Sequence, residues 1–247
     1  MRRSRPGPPT WWAALAGLAL PVACPGCGAP GQRLCPACRS ALTPTVLRVS
    51  LTAAAWLPAH AGGRYEGVLA STLLAWKDRG RADLTSVLAP ALACAVAARC
   101  HDLAAASRLE PADVLGAVSL VPVPSSRAAT RARGEDVVLG LARTAAGLLS
   151  APSGPRPRVV PALRQRRGVA DQAGLGRTAR QRNVAGAFVV RGRPPALALV
   201  VDDVLTTGAS AAAAVHALHA AGTAVLGACA VSATPPPGGL SEPPDLR

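Results

Sequence analysis

Aromatic residues are scarce in this sequence, and lysine is almost absent. Only six of the 247 residues are aromatic, so a core must be built mainly from Ala, Val and Leu. Lys77 is the only lysine among 27 basic residues, a bias that a GC-rich genome produces. The chain has no Gly-X-Y period and no long heptad run, which excludes collagen and coiled coils. Its content of Val and Leu also excludes an ordinary disordered chain.

Acidic residues are few as well, with 13 against 27 basic ones and a net charge of +14. Residues 127–193 hold most of the excess, since fourteen arginines there face three acids, for a net charge of +11. A concentrated basic field attracts phosphates, whether of a nucleotide, a sugar or a nucleic-acid backbone. The alternative is a solvated basic surface or a mobile basic loop without a ligand.

No uncharged apolar run reaches the roughly 20 residues that a membrane-spanning helix needs. Residues 11–22 form a run of twelve such residues after three arginines. We predict a short apolar helix within residues 1–22 that docks on the body of the protein, and an export signal is the alternative. The expectation is a cytoplasmic protein with no transmembrane segment.

Four of the seven cysteines form two closely spaced pairs. Cys24, Cys27, Cys35 and Cys38 follow the spacing C-x2-C-x7-C-x2-C, with Gly and Pro between the thiols. Four thiolates suit a closed tetrahedral Zn²⁺ site, and a segment of about 25 residues needs a metal to fold because it cannot bury a core. We predict a zinc module at residues 23–45, with disulfides and redox chemistry as alternatives. The remaining cysteines lie in apolar runs and are predicted core residues: Cys94, Cys100 and Cys229.

Apolar strands alternate with helices along the rest of the chain. The predicted helices cover residues 66–76, 84–103, 135–149 and 210–221. The predicted strands cover residues 117–123, 159–162, 197–201 and 225–231. Uniformly apolar strands that alternate with helices indicate a parallel sheet covered on both faces. The prediction is therefore an α/β domain at residues 46–233, followed by a disordered tail at residues 234–247.

The most informative pattern is LALVVDDVLTTGASAAAAV, at residues 197–215. A predicted buried strand ends in Asp202 and Asp203, and a short turn leads into a helix. Ligands of open parallel sheets bind beyond the carboxyl ends of the strands. Backbone N–H groups and hydroxyls at a helix N-terminus form a phosphate site, and a glycine lets the backbone approach the ligand closely. The residues that would do so are Thr206, Thr207, Gly208, Ala209 and Ser210.

Two acids directly beside a phosphate would repel it. Asp202 and Asp203 instead suit hydrogen bonds from sugar hydroxyls, or contact with the ligand through Mg²⁺. The segment therefore predicts a ribose 5-phosphate site. Two alternatives are helix capping by Asp and Thr, and the acidic strand end of response-regulator receiver domains, which also need acids from other strands.

The run VVDDVLTTGAS, at residues 200–210, closely resembles the PRPP-binding motif of type I phosphoribosyltransferases. Further blocks resemble one branch of these proteins, the ComF family of competence-associated proteins, in the family's order over about residues 20–232. These blocks are CPGCG…CPAC, YEGVLASTLLAWKDRGRADL (65–84), VPVPSSRAATRARG (121–134) and LRQRRGVADQAGLGRTARQRNVAGAF (163–188).

The resemblance implies a type I phosphoribosyltransferase-like fold, a parallel sheet flanked by helices, with a small N-terminal zinc module of four cysteines. It implies that Asp202 and Asp203 hold the ribose hydroxyls of PRPP, and that residues 206–210 bind its 5-phosphate. Residues 164–187 would form a hood over the site. The family-like positions in the hood are Arg164, Gln172, Arg177, Arg180 and Asn183.

The resemblance also implies cationic residues for the diphosphate. Arg127 and Arg133, with Arg131 between them, would lie in the pyrophosphate loop, and Lys77 would reach the same phosphates as a catalytic residue. The alternative for Lys77 is a surface position in a charged turn. At residues 135–136 this chain has Glu and Asp where the family usually shows an aromatic residue and Asn.

The implied function is the transfer or recognition of a 5-phosphoribosyl group, with Mg²⁺ and release of pyrophosphate, in association with DNA uptake. The alternative is a non-catalytic accessory protein that binds single-stranded DNA and keeps a regulatory or vestigial PRPP site. Other competence proteins would be partners in either case. The few aromatic residues weaken base stacking but not binding to the nucleic-acid backbone.

Overall fold

The computed structural model describes residues 23–125, 130, 136–150, 154–166 and 186–234. The predicted helix within residues 1–22 and all but the first residue of the predicted tail lie outside these ranges. Much of the arginine-rich segment at residues 127–193 lies outside them as well.

Strands and helices alternate along most of the described chain. The strands are β1 (Leu47–Val49), β2 (Ala59–Ala61), β3 (Ser119–Pro122), β4 (Arg158–Val159), β5 (Leu163–Gln165), β6 (Phe188–Val190), β7 (Leu197–Leu205) and β8 (Ala224–Ala233). The helices are α1 (Pro36–Ser40), α2 (Gly67–Asp78), α3 (Thr85–Ser107), α4 (Pro111–Ala117), α5 (Val137–Leu148) and α6 (Ala209–Ala220), with a 3-10 turn at Ala82–Leu84.

A six-stranded sheet with the order β1-β2-β8-β7-β3-β4 forms the centre of the fold. All of its neighbouring strands pair in parallel except β1, which is antiparallel to β2. The α/β prediction with a mostly parallel sheet is therefore confirmed. The chain passes from β3 to β4 on one side and from β7 to β8 on the other, so the strand order reverses between β3 and β7. Open α/β sheets bind their ligands at such a reversal.

Aliphatic side chains pack against both faces of the sheet. Along β7, Leu199 and Val201 join the cluster formed with α3 and α5, whereas Ala198 and Val200 join the cluster formed with α6. This alternation follows from the two-residue period of a strand, which sends successive side chains to opposite faces. The predicted aliphatic core is confirmed, because Ala, Val and Leu make up most of the buried residues.

One helical segment among the described residues is long and apolar enough to cross a membrane. It comprises the 3-10 turn and α3, at Ala82–Ser107. Just over half of its most apolar 18-residue stretch is buried inside the fold. Core helices of soluble proteins have the same length and composition, so this observation is weak evidence for a membrane segment.

A buried histidine lies where β2 packs against α3. His60 is 2% exposed, and its Nε2 atom lies 3.1 Å from Oδ2 of Asp102. Arg48 donates to the other carboxylate oxygen at 2.7 Å, and Nδ1 of His60 has no hydrogen-bond partner within the described residues. Burial lowers the pKa of His60, and the opposing effect of Asp102 does not compensate. The fold therefore favours the neutral imidazole.

We expect the protein to lose stability as the pH falls below about 6.5, the ordinary pKa of histidine. An unfolded chain binds a proton at His60 in that range, whereas the folded protein binds it only near the lowered pKa. The neutral imidazole contributes fully to the free energy of unfolding above about pH 6.5. This contribution decreases as the pH drops toward the lowered pKa of His60. Urea unfolding at a series of pH values gives the free energy of unfolding at each pH. Below about pH 6.5, this free energy should change less steeply with pH in His60→Gln than in the wild type.

The matched control is His101→Gln, because His101 is exposed on the same helix as Asp102. It should retain the wild-type dependence of the free energy of unfolding on pH. The same pH dependence in the wild type and in both variants would contradict the role given to His60.

Candidate functional site

The four predicted cysteines lie together in the structure. Their Sγ atoms are all within 4.8 Å of one another, so they could hold a metal ion such as zinc. Cys24, Cys35 and Cys38 are buried, and Cys27 is exposed. The Sγ atoms of Cys27 and Cys35 are 3.7 Å apart, well beyond the roughly 2.05 Å of a disulfide. The cysteines are therefore free thiols arranged around one point.

Local backbone geometry produces this arrangement. The first pair flanks a turn in which Gly28 N–H donates to the carbonyl of Cys24 at 2.8 Å, with Gly28 at a φ of 79°. A Cβ on Gly26, between Cys24 and Cys27, would lie 2.6 Å from Sγ of Cys38, so only glycine fits at this position. The second pair begins at Cys35, the N-cap of α1, where Pro36 starts the helix.

Backbone N–H groups point at the sulfurs. Cys35 N–H donates to Sγ of Cys24, and Cys38 N–H donates to Sγ of Cys35, each at 3.4 Å. Burial opposes ionisation of Cys24, but the N–H groups outweigh it and lower the pKa of this thiol to about 6. Hydrogen bonding with Cys35, together with burial, raises the pKa of Cys38 to about 12. A divalent cation would stabilise all four thiolates, so the sulfur donor set fits a tetrahedral zinc ion.

A cleft of about 430 Å³ opens at the carboxyl ends of β3 and β7, where the strand order reverses. Side chains from α2, from β5 and β6, and from the ends of β3 and β7 line it. They include Lys77, Asp78, Ser125, Gln165, Phe188, Asp202, Asp203, Thr206 and Ser210. The cleft therefore brings the predicted lysine and the two predicted acids to one place.

Strand β7 continues through the two acids, which corrects the prediction that it ends at residue 201. Asp202 pairs with Ala230 of β8, and the pairing extends to Leu205 opposite Ala233. Because side chains alternate along a strand, Asp203 belongs to the face of α2 and α3, whereas Asp202 belongs to the opposite face. Both carboxylates still line the cleft, since this end of the strand forms its floor.

Lys77, whose side chain is 45% exposed, forms an ion pair with Asp203 in the cleft. Nζ of Lys77 lies 2.6 Å from Oδ2 of Asp203, whose side chain is 4% exposed. Burial opposes the charge of Lys77, but Asp203 and then Asp202 outweigh it and raise the pKa of the lysine. The neighbouring residue, Trp76, is fully buried and donates from Nε1 to Oγ1 of Thr85 at 2.9 Å, which anchors this end of α2. Lys77 thus lies among the acids of the cleft.

The side chain of Asp202 is hydrogen-bonded to the backbone of Asp203. The N–H of Asp203 donates to Oδ1 of Asp202 at 2.8 Å. Burial, and next the negative charge of Asp203, raises the pKa of Asp202 well above its ordinary value. A bound cation, or hydroxyl groups that donate to the carboxylate, would favour its charged form. The pair is therefore suited to a ligand that brings hydroxyl donors or Mg²⁺.

The turn between β7 and α6 lies at the cleft, which Thr206 and Ser210 line. Gly208 is the N-cap of α6, and its φ of 81° lies in the left-handed region. A Cβ at Gly208 would also lie 2.7 Å from Cβ of Leu51, in the segment that supports the turn. Ala53 N–H donates to the carbonyl of Thr207 at 2.8 Å from that segment. The turn is thus held in a conformation that requires glycine.

The helix-capping alternative for the acids is wrong. Both acids lie within β7, and Gly208, the N-cap of α6, has no side chain that could cap the helix. Thr207 does cap it, because its Oγ1 accepts from the N–H of Ala209 at 3.3 Å. The N–H groups of Ser210 and Ala211 have no intrahelical partner, since they belong to the first helical turn. The hydroxyls of Thr206, Thr207 and Ser210 nearby are exposed. Of these three, Thr206 and Ser210 line the cleft.

Asp136, one of the two positions that depart from the family pattern, caps a helix. Its Oδ1 accepts from the N–H groups of Val138 and Leu139 at 3.2 and 3.4 Å, and from the hydroxyl of Ser125 at 3.2 Å. The carboxylate thus ties the start of α5 to the segment after β3. This local role accounts for an acid at residue 136.

Several predicted site residues lie outside the described residues. They are Arg127, Arg131, Arg133, Gln172, Arg177, Arg180 and Asn183. Arg164 is described and is exposed on β5, next to Gln165. The sequence reasoning did not single out Gln165, Phe188 or Asp78 as lining residues. All three lie within the blocks at residues 65–84 and 163–188, and this membership was the only available signal.

Comparison of the chain with models of known protein families gives no match, and comparison with curated proteins gives none either. The function is therefore argued from the residues and the geometry of the site.

Proposed function

We propose that this protein binds PRPP with Mg²⁺ in the cleft between β3 and β7, as a type I phosphoribosyltransferase-like protein of the ComF family. The proposal includes zinc as the metal of the four cysteines. It also includes the cytoplasmic location and the association with DNA uptake that the resemblance implies.

One observation carries the proposal. Two acids at the floor of the cleft are followed directly by the turn into α6, at the reversal of strand order. Thr207 accepts from the N–H of Ala209 there, and the N–H groups of Ser210 and Ala211 have no intrahelical partner. Acceptor groups for hydroxyls and donor groups for a phosphate thus lie within residues 202–210. A ribose 5-phosphate presents both kinds of group, hydroxyls on the ring and a phosphate at its 5-position.

Each part of the ligand has a counterpart in the cleft. Asp202 and Asp203 accept hydrogen bonds from the ribose hydroxyls, and the turn at residues 206–210 binds the 5-phosphate. Lys77, beside Asp203, places a positive charge next to the sugar and toward the diphosphate. Arg127 and Arg133 complete the diphosphate site in this proposal.

The proposed reaction breaks the bond between the ribose anomeric carbon and the diphosphate oxygen. Pyrophosphate leaves with the electron pair, and an acceptor nucleophile forms the new bond to carbon. Mg²⁺ would neutralise charge on the departing diphosphate. The chain orients the sugar through its acids and the phosphate through the turn, which lowers the entropic part of the barrier. The hood excludes water, which would otherwise hydrolyse PRPP.

Calorimetric titration with PRPP and Mg²⁺ tests the binding step. We expect saturable binding of one PRPP per chain that weakens when Mg²⁺ is omitted. A screen for pyrophosphate release with candidate acceptors then tests transfer. If PRPP does not bind, the proposal is wrong, and salt-dependent binding of single-stranded DNA becomes the next activity to measure.

A further inference from the structure

Helix α2 connects the cysteine cluster to the cleft. Its first turn touches the cluster, because Val68 packs against the buried cysteines. The contact is close enough that a Cβ on Gly26, between the first two cysteines, would lie 2.8 Å from Cγ1 of Val68. The N-terminal end of α2 thus rests on the cysteine module at residues 23–45.

The segment after the other end of α2 also contacts the module. Arg81 donates from its terminal nitrogens to the carbonyl of Ala23 at 3.4 Å and to the carbonyl of Arg33 at 3.0 Å. Asp83 fixes the guanidinium through two hydrogen bonds of 2.8 Å each. The two carbonyls belong to different halves of the module, one just before Cys24 and the other two residues before Cys35. One side chain therefore joins both halves of the module.

Arg81 is also tied to the last turn of α2. Its own N–H donates to the carbonyl of Ala75 at 3.2 Å. Two residues further along the helix, Lys77 forms the 2.6 Å ion pair with Asp203. A shift of Arg81 would move the C-terminal turn of α2 and hence Nζ of Lys77.

We propose that the metal-loaded cysteine module acts through Arg81 to hold Lys77 against Asp203, so that occupancy of the metal site sets ligand affinity in the cleft. Arg81 is a positioning residue, since it touches neither the ligand nor the metal. The effect on PRPP rests on the proposed function, whereas the effect on Lys77 does not. Coupling of binding sites is reciprocal in binding free energy, so PRPP should also raise the affinity for the metal.

Lys77 provides a direct readout, because it is the only lysine in the chain. Full-length protein grown with lysine labelled at the ε-carbon gives one side-chain NMR resonance. In zinc-loaded Arg81→Ala, we expect this resonance to move toward its position in Asp203→Asn, where the ion pair is broken. Arg79→Ala is the matched control, since Arg79 is exposed in the same segment and makes no side-chain hydrogen bond or ion pair with any described residue. It should leave the resonance unchanged.

A zinc assay accompanies each spectrum. If Arg81→Ala loses zinc, Arg81→Gln replaces it. Its single amide nitrogen cannot reproduce the contacts of two guanidinium nitrogens with two carbonyls, and it adds no second lysine. A resonance that stays at its wild-type position in a zinc-loaded Arg81 variant, or in wild-type protein stripped of zinc, overturns the inference. This result does not depend on PRPP.

PRPP titration supplies the second measurement. We expect Arg81→Ala to bind PRPP about fivefold or more weakly than the wild type, in the usual range of coupling between sites, with Arg79→Ala unchanged. Saturating PRPP should raise the affinity for zinc in the wild type but not in Arg81→Ala, as measured by equilibrium competition with a chelator. If the wild type binds no PRPP, the proposed function fails, and the lysine resonance still decides the coupling.

Discussion

Replacement of Asp202 and Asp203 together by Asn is expected to weaken PRPP binding by at least tenfold. Asn keeps the size of each side chain but replaces acceptor-only carboxylates with amides and removes two charges. Charge-assisted hydrogen bonds contribute roughly 1.5–3 kcal/mol each, and about 1.4 kcal/mol corresponds to a factor of ten. The measurement is calorimetric titration of PRPP with Mg²⁺ into the wild type and the variant.

The structure separates the two acids. Asp203→Asn removes the ion pair with Lys77, so it leaves the lysine without its closest carboxylate. Asp202→Asn keeps that ion pair. It removes an acid whose pKa is raised by burial and by the negative charge of Asp203. We therefore expect the Asp203 variant to be less stable to urea than the Asp202 variant. Circular dichroism is the folding control for both.

A charge-matched control lies on the surface of α4. Glu110→Gln with Asp113→Asn also removes two negative charges, from exposed positions at the start of that helix. This protein should bind PRPP as the wild type does, which excludes a general effect of net charge. A folded Asp202/Asp203 double variant with wild-type affinity would show that the site is assigned to the wrong residues.

Loss of one thiolate is expected to remove the metal and unfold the cysteine module. Cys35→Ser replaces a buried ligand that also contacts Cys27 and accepts from Cys38 N–H. Comparable structural zinc sites contribute roughly 10–16 kcal/mol of binding free energy, which becomes folding free energy in a small module. We expect one zinc per chain in the wild type, much less than one in Cys35→Ser, and new proteolytic cleavage within residues 23–45 of the variant.

Cys94→Ser is the matched control for this change. Cys94 is half-buried in α3 and is not part of the cysteine cluster. It should keep one zinc per chain and the wild-type cleavage pattern. Equal zinc in Cys35→Ser and the wild type, or none in either, would rule out the four-cysteine site.

Local sequence patterns predicted most of the architecture. Uniform apolarity marked β3, β7 and β8, and Ala/Leu-rich runs marked α2 and α3, because these signals repeat over several neighbouring residues. The cysteine spacing predicted the cluster for the same reason, since both pairs lie within fifteen residues. Strands β1 and β2 have three residues each, too short for a period of two to stand out.

Tertiary pairing decided what the local patterns did not predict. Adjacent aspartates disfavour a strand by propensity, yet β7 continues through them because β8 pairs alongside as far as Ala233. Arg81 reaches Ala23 and Arg33, which precede it by 58 and 48 residues. The contact of His60 with Asp102 likewise joins β2 to α3. No window of neighbouring residues contains both partners of such a contact.

The pairing of β2 with β8 has a consequence for synthesis of the chain on the ribosome. Ala59–Ala61 emerges early, but its parallel partner is Ala224–Ala233, the most C-terminal strand that the structure describes. Until β8 emerges, one edge of β2 has no partner, and β7 lacks the neighbour that carries its acids into the cleft. Contacts of such wide sequence separation form late and slow folding. The cysteine module and α2 can therefore assemble cotranslationally, whereas the cleft that they support is completed only after Ala224–Ala233 has been translated.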